Sequence, residues 1–280
     1  MKIALIQRAA GPNRARNLER ALEAMGQAAE SGADLVAFAE LAIDGFFPQR
    51  RNDPLAAALA EPIPGPVADH LAARARELGL VTVFNMYERA ADGRCYDSSP
   101  VFDADGTLCG VTRMVHITEY ACFHEQGYYA AGDRGAPVFD TAVGRIGVAI
   151  CYDRHYPEYM RHLGESGAEL VVIPQAGAVG EWPEGLYEAE ARVAAFQNGY
   201  FTALCNRVGE EERLTFAGES FVVDPEGSVI ARGPTLEEAI VYADVDLSVC
   251  ATSTARRLFW RDRRPEVYRA WAEATAGASR

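Results

Sequence analysis

Residues 1–40, MKIALIQRAAGPNRARNLERALEAMGQAAESGADLVAFAE, hold two short apolar runs separated by a longer amphipathic one. Residues 3–6 and 35–38 have the length and content of buried strands. Between them Leu18, Ala21, Leu22, Met25 and Ala29 fall at i, i+3, i+4, i+7 and i+11, the core-facing stripe of an amphipathic helix. A strand, helix, strand succession of this length makes a right-handed parallel crossover.

The pattern recurs with variation along the chain. A helical stretch over 67–78 leads into a strand at 80–84, and 146–150, 170–173 and 201–205 read as further strands separated by helical patterns. Two hairpins interrupt them, 99–102 with 108–115 about a turn at 103–106, and 220–223 with 229–231 about 225–227. Alternating βα units with added hairpins predict layered sheets covered by helices, an α/β sandwich. No repeat, low-complexity tract or linker divides the sequence, so residues 1–280 are expected to form one domain. The stretch 250–280, rich in Arg and Trp, is expected to be a helix or an arm that packs on a partner subunit.

Composition narrows the function classes. The 280 residues are 49% hydrophobic and 24% charged, ordinary for a globular protein, with a formal net charge of −13. An acidic chain without a basic stripe argues against nucleic acid and anionic membranes as partners and leaves small molecules. The opening KIALIQ lacks the apolar core and cleavage site of a signal peptide, so a cytoplasmic protein is expected. Six cysteines, at 95, 109, 122, 151, 205 and 250, show neither disulfide nor zinc-ribbon spacing and read as reduced thiols. Lys2 is the only lysine among the 27 basic residues. With no G-x-G-x-x-G and no P-loop, nucleotide cofactors have no foothold, and no cofactor or metal is expected.

Two places carry chemistry. In GRIGVAICYDRHYPE, residues 144–158, a short buried strand runs into Cys151, and Pro157 is placed to open the next helix. Ligands of α/β proteins gather beyond strand carboxyl ends, and a nearby helix N-terminus would lower the pKa of the thiol, which suits a nucleophile. The alternative is a buried strand cysteine. In DLVAFAELAIDGF, Glu40 follows an apolar strand directly, as a desolvated general base or as a loop glutamate capping a turn. Glu125, in CFHEQGYYAAGD, is weaker by itself. The Cys151–His155 spacing alone makes neither a metal site nor a dyad.

Taken in order, these pieces resemble the nitrilase, or carbon–nitrogen hydrolase, superfamily over essentially the whole chain. Glu40 in FAEL is similar to the family's general base, RMVHI at 113–117 to its R-K-x-H-[IL] strand, and Glu125 with Gly132-Asp133 to its second glutamate and P-G-D. ICYDRHYPE at 150–158 resembles the nucleophile motif, and RVAAFQNGYFTALCNRVG and FAGESFVVDPEG the elements that follow it. The resemblance implies a four-layer αββα sandwich, no cofactor, and homodimers. It also implies catalysis of C–N bond hydrolysis by Cys151 as nucleophile, Glu40 as base and Glu125 as an orienting carboxylate. Tyr152, whose backbone N–H would meet the oxyanion, Arg154, His116 and Gln175 are the expected substrate-binding residues.

At the position of the family's lysine stands Met114, and two glutamates and a thiol crowded together without that cation should keep at least one proton, with the thiol less acidic and a glutamate pKa raised. Arg113 is adjacent, but along a strand neighbouring side chains point to opposite faces, so it should point away from the cleft unless a bulge intervenes. Three explanations stay open: an engineered replacement, a natural loss leaving a protein that binds an amide or carboxylate without turnover, or a variant that recruits Arg113 or another donor. The motif after Cys151 most resembles enzymes acting on N-carbamoyl compounds, in which an arginine near Arg154 grips a substrate carboxylate. The opposing reading pairs Arg154 with a nearby acid such as Glu158.

Overall fold

The computed structural model describes residues 1–278. The first crossover comprises β1 (Lys2–Gln7), α1 (Arg14–Glu30) and β2 (Leu35–Phe38), with β1 parallel to β2 and Ile3 opposite Leu35. There follow α2 (Pro66–Leu78), β3 (Val81–Val83), β4 (Met86–Arg89), β5 (Cys95–Phe102) and β6 (Leu108–Arg113). A small hairpin, β7 (Glu119–Tyr120) and β8 (Phe123–His124), precedes β9 (Val138–Thr141), β10 (Gly144–Val148) and α3 (Pro157–Glu165). Next come β11 (Leu170–Gln175), α4 (Leu186–Asn198), β12 (Phe201–Asn206), β13 (Val208–Glu210) and β14 (Thr215–Ala217). β15 (Phe221–Val223), β16 (Val229–Arg232), β17 (Ala239–Asp244) and α5 (Pro265–Ala278) complete the described chain.

Two large sheets result, ordered β17-β1-β2-β3-β5-β4 with β6 added on β5, and β16-β15-β12-β11-β10-β9, beside the two-stranded pairs β7-β8 and β13-β14. Alternation along each strand sends side chains to both faces. Ile3, Leu5, Leu35, Ala37, Val81 and Val83 of one sheet meet Ile146, Val148, Leu170, Val172 and Ala203 of the other in a shared core. Ala4, Ile6, Val36 and Phe38 turn outward against Met25 of α1 and Leu71 of α2, while Val171 and Ile173 turn outward against Leu163 of α3 and Ala195 of α4. The layers are therefore helices, sheet, sheet, helices, the αββα sandwich expected from the sequence.

The differences from the sequence reading are local. The buried face of α1 is centred on Asn17, Ala21, Ala24, Met25 and Ala28, with Leu18, Leu22 and Ala29 at its margins. Small side chains bring the helix close to the sheet, and the larger leucines flank the contact. The turn at 103–106 forms, closed by Gly106 at φ +81°, where a Cβ would lie 2.4 Å from the Ala72 carbonyl oxygen. The second arm of that hairpin ends at Arg113 rather than 115, because Asp153 takes the N–H groups of Val115 and His116. At the other end of the chain, α5 is a helix, and the turns before it tie to α3 through Arg256, which donates to the Gly164 carbonyl at 3.0 Å and stacks on Trp260.

Candidate active site

β10 ends at Val148, and Cys151 opens a tight turn, Cys151–His155, with its own φ at +42°. A non-glycine residue there is strained, and the strain holds the side chain off the strand axis. Arg154, on the same turn, folds back and donates Nη1 to the Cys151 carbonyl and to Oε1 of Gln175, both at 2.8 Å. Gln175 is there because β10 and β11 are parallel with Val148 opposite Val172, which carries the register on to Cys151 and Gln175.

Glu40 emerges just past β2. Leu41 after it is also strained, φ +47°, and its N–H donates to Asn85 Oδ1 at 2.6 Å. Arg207, at the end of β12 in the other sheet, donates to the carbonyls of Glu40 (2.9 Å), Leu41 (2.7 Å) and Asp44 (3.0 Å). A cation from one sheet thus fixes the backbone that presents a carboxylate from the other. Glu125 comes from the short turn Glu125–Gly127 after β8.

These three elements bring Glu40, Glu125 and Cys151 together. Both glutamates have no exposed surface and Cys151 keeps 5%. Asp97 of β5 joins them, its carboxyl within hydrogen-bond reach of Glu40. Five oxygens of these three acids, both of Glu40, both of Glu125 and Oδ2 of Asp97, lack a hydrogen-bond donor, as does the buried Tyr129 hydroxyl. Burial and the Glu125 charge push the Glu40 pKa up to about 8, opposed by the neighbouring Cys151 thiol, Asp97 and Arg207. Burial with nearby carboxylates likewise holds Glu125 and Asp97 well above the usual carboxylate range. Cys151 is raised as well, by burial and then by Glu40 and Glu125, with Arg154 the opposing cation. Of the two influences on the thiol read from the sequence, the crowding of acids without a cation outweighs the helix start. Cys151 starts its own tight turn ahead of α3, and desolvation beside two acids decides its acidity.

Met114 is fully buried and packs in the same cluster as Cys151. Arg113 points the other way, to Glu88 and Asp133, as strand alternation requires. Lys2 lies at the surface, with Nζ on the Ser31 carbonyl.

The remaining predicted residues divide. Arg154 and Gln175 stand beside Cys151, and Arg154 Nη2 and Gln175 Nε2 are buried donors without an acceptor. The acid that pairs with Arg154 is Glu190 of α4, at 3.2 Å, and not Glu158. Tyr152 is half-buried, its ring among Tyr120, His155 and Tyr156. His116 is turned to Asp153, 2.7 Å from Nδ1, and stacks on Tyr156 at 3.5 Å, so its contacts are those of a residue bracing the turn rather than of a substrate group. His155 is bound to Glu190 and not to Cys151. A surface cavity of about 820 Å³ between α3 and α4 takes in Arg154 and Glu190 but not Cys151.

Sequence reasoning missed Asp97, Asn85, Arg207, Tyr129 and Glu181. Glu181 accepts from the hydroxyls of Tyr120 and Tyr187 and acts electrostatically on Cys151 and Glu125. An available signal was Asp97 itself, a carboxylate inside the otherwise uncharged strand CYDSSPVF.

Comparison with known proteins accords with this arrangement. The carbon–nitrogen hydrolase family model matches residues 2–254. The chain is 31% identical to the N-carbamoylputrescine amidase of Solanum lycopersicum over 95% of this chain and 93% of that protein. Its fold is similar to the crystal structure of a carbon–nitrogen hydrolase from Helicobacter pylori G27, with TM-score 0.91, 29% identity and coverage of 97% and 98%. A cysteine-to-alanine mutant of the amidase from Nesterenkonia sp. AN1, in complex with butyramide, is similar at TM-score 0.82 and 25% identity, covering 97% of each chain. The chain belongs to the carbon–nitrogen hydrolase family. It is an enzyme of the nitrilase superfamily, with carbamoyl hydrolases among its relatives.

Proposed function

We propose that this protein hydrolyses a non-peptide C–N bond of a small amide or N-carbamoyl compound through an acyl-enzyme on Cys151. The convergence of Cys151, Glu40 and Glu125 from three separate elements at adjoining strand ends carries this reading. In the reaction Glu40 takes the thiol proton and the sulfur attacks the carbonyl carbon. Glu40 then delivers the proton to the departing nitrogen and activates the water that releases the acid. A base with a raised pKa is the right match for a thiol that is itself hard to ionise, because the transfer between them is then less uphill. Glu125 orients the pair, and Met114 lines the cleft where the resemblance implies a cation.

Arg154 and Gln175 supply the polar grip. Their two orphan buried donors sit beside the nucleophile and call for an oxygen-rich acceptor, for which the planar guanidinium is suited when that acceptor is a carboxylate. The N-carbamoylputrescine amidase relative and the butyramide held by the Nesterenkonia amidase mutant support the amide and carbamoyl range of substrates.

Ammonia release from a panel of simple amides and N-carbamoyl acids tests the proposal. The wild-type protein is expected to turn over at least one class and Cys151→Ala none, with an acyl adduct on Cys151 visible by mass spectrometry. Saturable binding without ammonia release across the panel would sink the reading in favour of a binding protein.

A further inference from the structure

Asp97 sits where the site is short of a cation. β5 and β6 are antiparallel with Ser98 opposite Arg113, so Asp97 is the cross-strand neighbour of Met114, whose N–H donates to the Asp97 carbonyl at 2.9 Å. Cross-strand neighbours share a face. The Asp97 side chain therefore shares the Met114 face, and its carboxyl reaches Glu40.

The two oxygens of this carboxyl are not equivalent. Asn85 is oriented by the Leu41 N–H on its Oδ1, which turns its Nδ2 toward Asp97 Oδ1, 2.5 Å away. Oδ1 is thus an acceptor in use, and Oδ2 has no donor. Neither oxygen of Glu40 has one either. Two carboxyl groups in mutual reach, both shut off from water, satisfy each other only when one carries a proton. Asn85 singles out Oδ2 of Asp97 to hold it.

Resting on the reading of Glu40 as the base, we propose that Asp97 is a positioning residue of this site. Its carboxyl, protonated on Oδ2, donates to the Glu40 carboxylate, favouring the ionised form of that base and aiming it, the part that the resemblance gives to a lysine at position 114. A neutral acid takes the place of an ammonium as donor. The other groups that face this pair are Glu125 and Tyr129 from the segment after β8, Asp153 and Cys151 from the tight turn, and Arg207 from β12. Of these Arg207 alone is a cation, and its Nη atoms are engaged with carbonyls and with Glu211.

Asparagine has the shape and charge of a protonated aspartate and keeps a donor, which makes the inference testable. The pH dependence of kcat/KM is measured for wild type, Asp97→Asn and Asp97→Leu. Alongside it goes the rate of Cys151 modification by iodoacetamide, read by peptide mass spectrometry, which needs no turnover. In Asp97→Asn the acid limb set by Glu40 is expected to stay within about 0.3 pH unit of wild type. Asp97→Leu, lacking a donor, is expected to move the acid limb upward by about one pH unit and to lower kcat by roughly 10²-fold with less effect on KM. A fall of the acid limb by about one unit or more in Asp97→Asn would show that Asp97 is an anion, and the inference fails. It fails equally if Asp97→Leu leaves the acid limb and kcat where they stand in wild type. Should the wild type modify at Cys151 with the expected profile yet release no ammonia, the hydrolase reading fails and the role of Asp97 stands.

Discussion

Residues 113 and 114 are neighbours in sequence and stand at the head of two opposite electrostatic regimes. On the Arg113 side, Glu88 takes Nη2 at 2.5 Å and Nε at 2.8 Å, Asp133 takes Nη1 at 2.8 Å, Ser98 donates to Glu88, and the guanidinium lies over the Tyr96 ring. Every charge there has its complement. On the Met114 side, three buried acids and a thiol lie together with five undonated oxygens. Arg113 and Glu88 are buried as the acids on the other side are, so burial alone does not distinguish structural from chemical electrostatics. Completeness of pairing does. A satisfied network holds shape, whereas an unsatisfied one stores proton affinity that a reaction can use.

Matched acid-to-amide changes on the two sides separate these regimes most sharply. Glu40→Gln is expected to lower kcat by on the order of 10³-fold or more while leaving the protein at least as stable. The sign follows from linkage. Glu40 rises from its ordinary 4.5 to about 8, so the folded state binds the proton more tightly. Its contribution is complete below about pH 4.5 and is lost as pH climbs through about 8. Glutamine removes that slope, and thermal melts across this window should show the variant gaining on wild type as pH rises. Glu88→Gln should do the reverse, costing roughly 3 kcal/mol by leaving Arg113 under-compensated, with Cys151 reactivity little changed. Equal melting losses for the two variants would erase the distinction.

Met114→Lys comes next in size. An ammonium among the acids should lower the thiol pKa and speed Cys151 alkylation near neutral pH by roughly 10- to 100-fold, measured against Cys109 in the same digest. An unchanged rate would show that the missing cation does not limit this thiol. The smallest expected effect is that of Tyr129→Phe. Its hydroxyl has no partner, so its removal should shift stability by about 1 kcal/mol or less, in the favourable direction, as read from denaturant melts.

The frame was legible because periodicity reports burial. The unbroken apolar run at Ile3–Ile6 and the spacing of Ala21 and Met25 are consequences of facing a core, and Glu40 and Cys151 stood out as polar groups closing apolar runs. What was illegible depends on contacts distant in sequence. That Glu125 is wholly buried, that Asp97 reaches Glu40, and that Arg207 serves the Glu40 backbone from 167 residues away are set by how two sheets face each other. The raised Cys151 pKa was legible only through the resemblance, which brought the two acids to the thiol. A helix start is visible in a motif, whereas the acids that outweigh it come from other strands.

The reach of Arg207 across the sandwich has a bearing on heat. One side chain of the second sheet clasps three carbonyls of the loop that follows β2, so the distance from thiol to base is set by that clasp and not by either sheet alone. Warming that slackens the seam would spoil the reacting distance while each sheet still kept its own hydrogen bonds. Loss of turnover should then precede loss of ellipticity, and the gap between the two temperatures would measure how firmly the two halves are riveted.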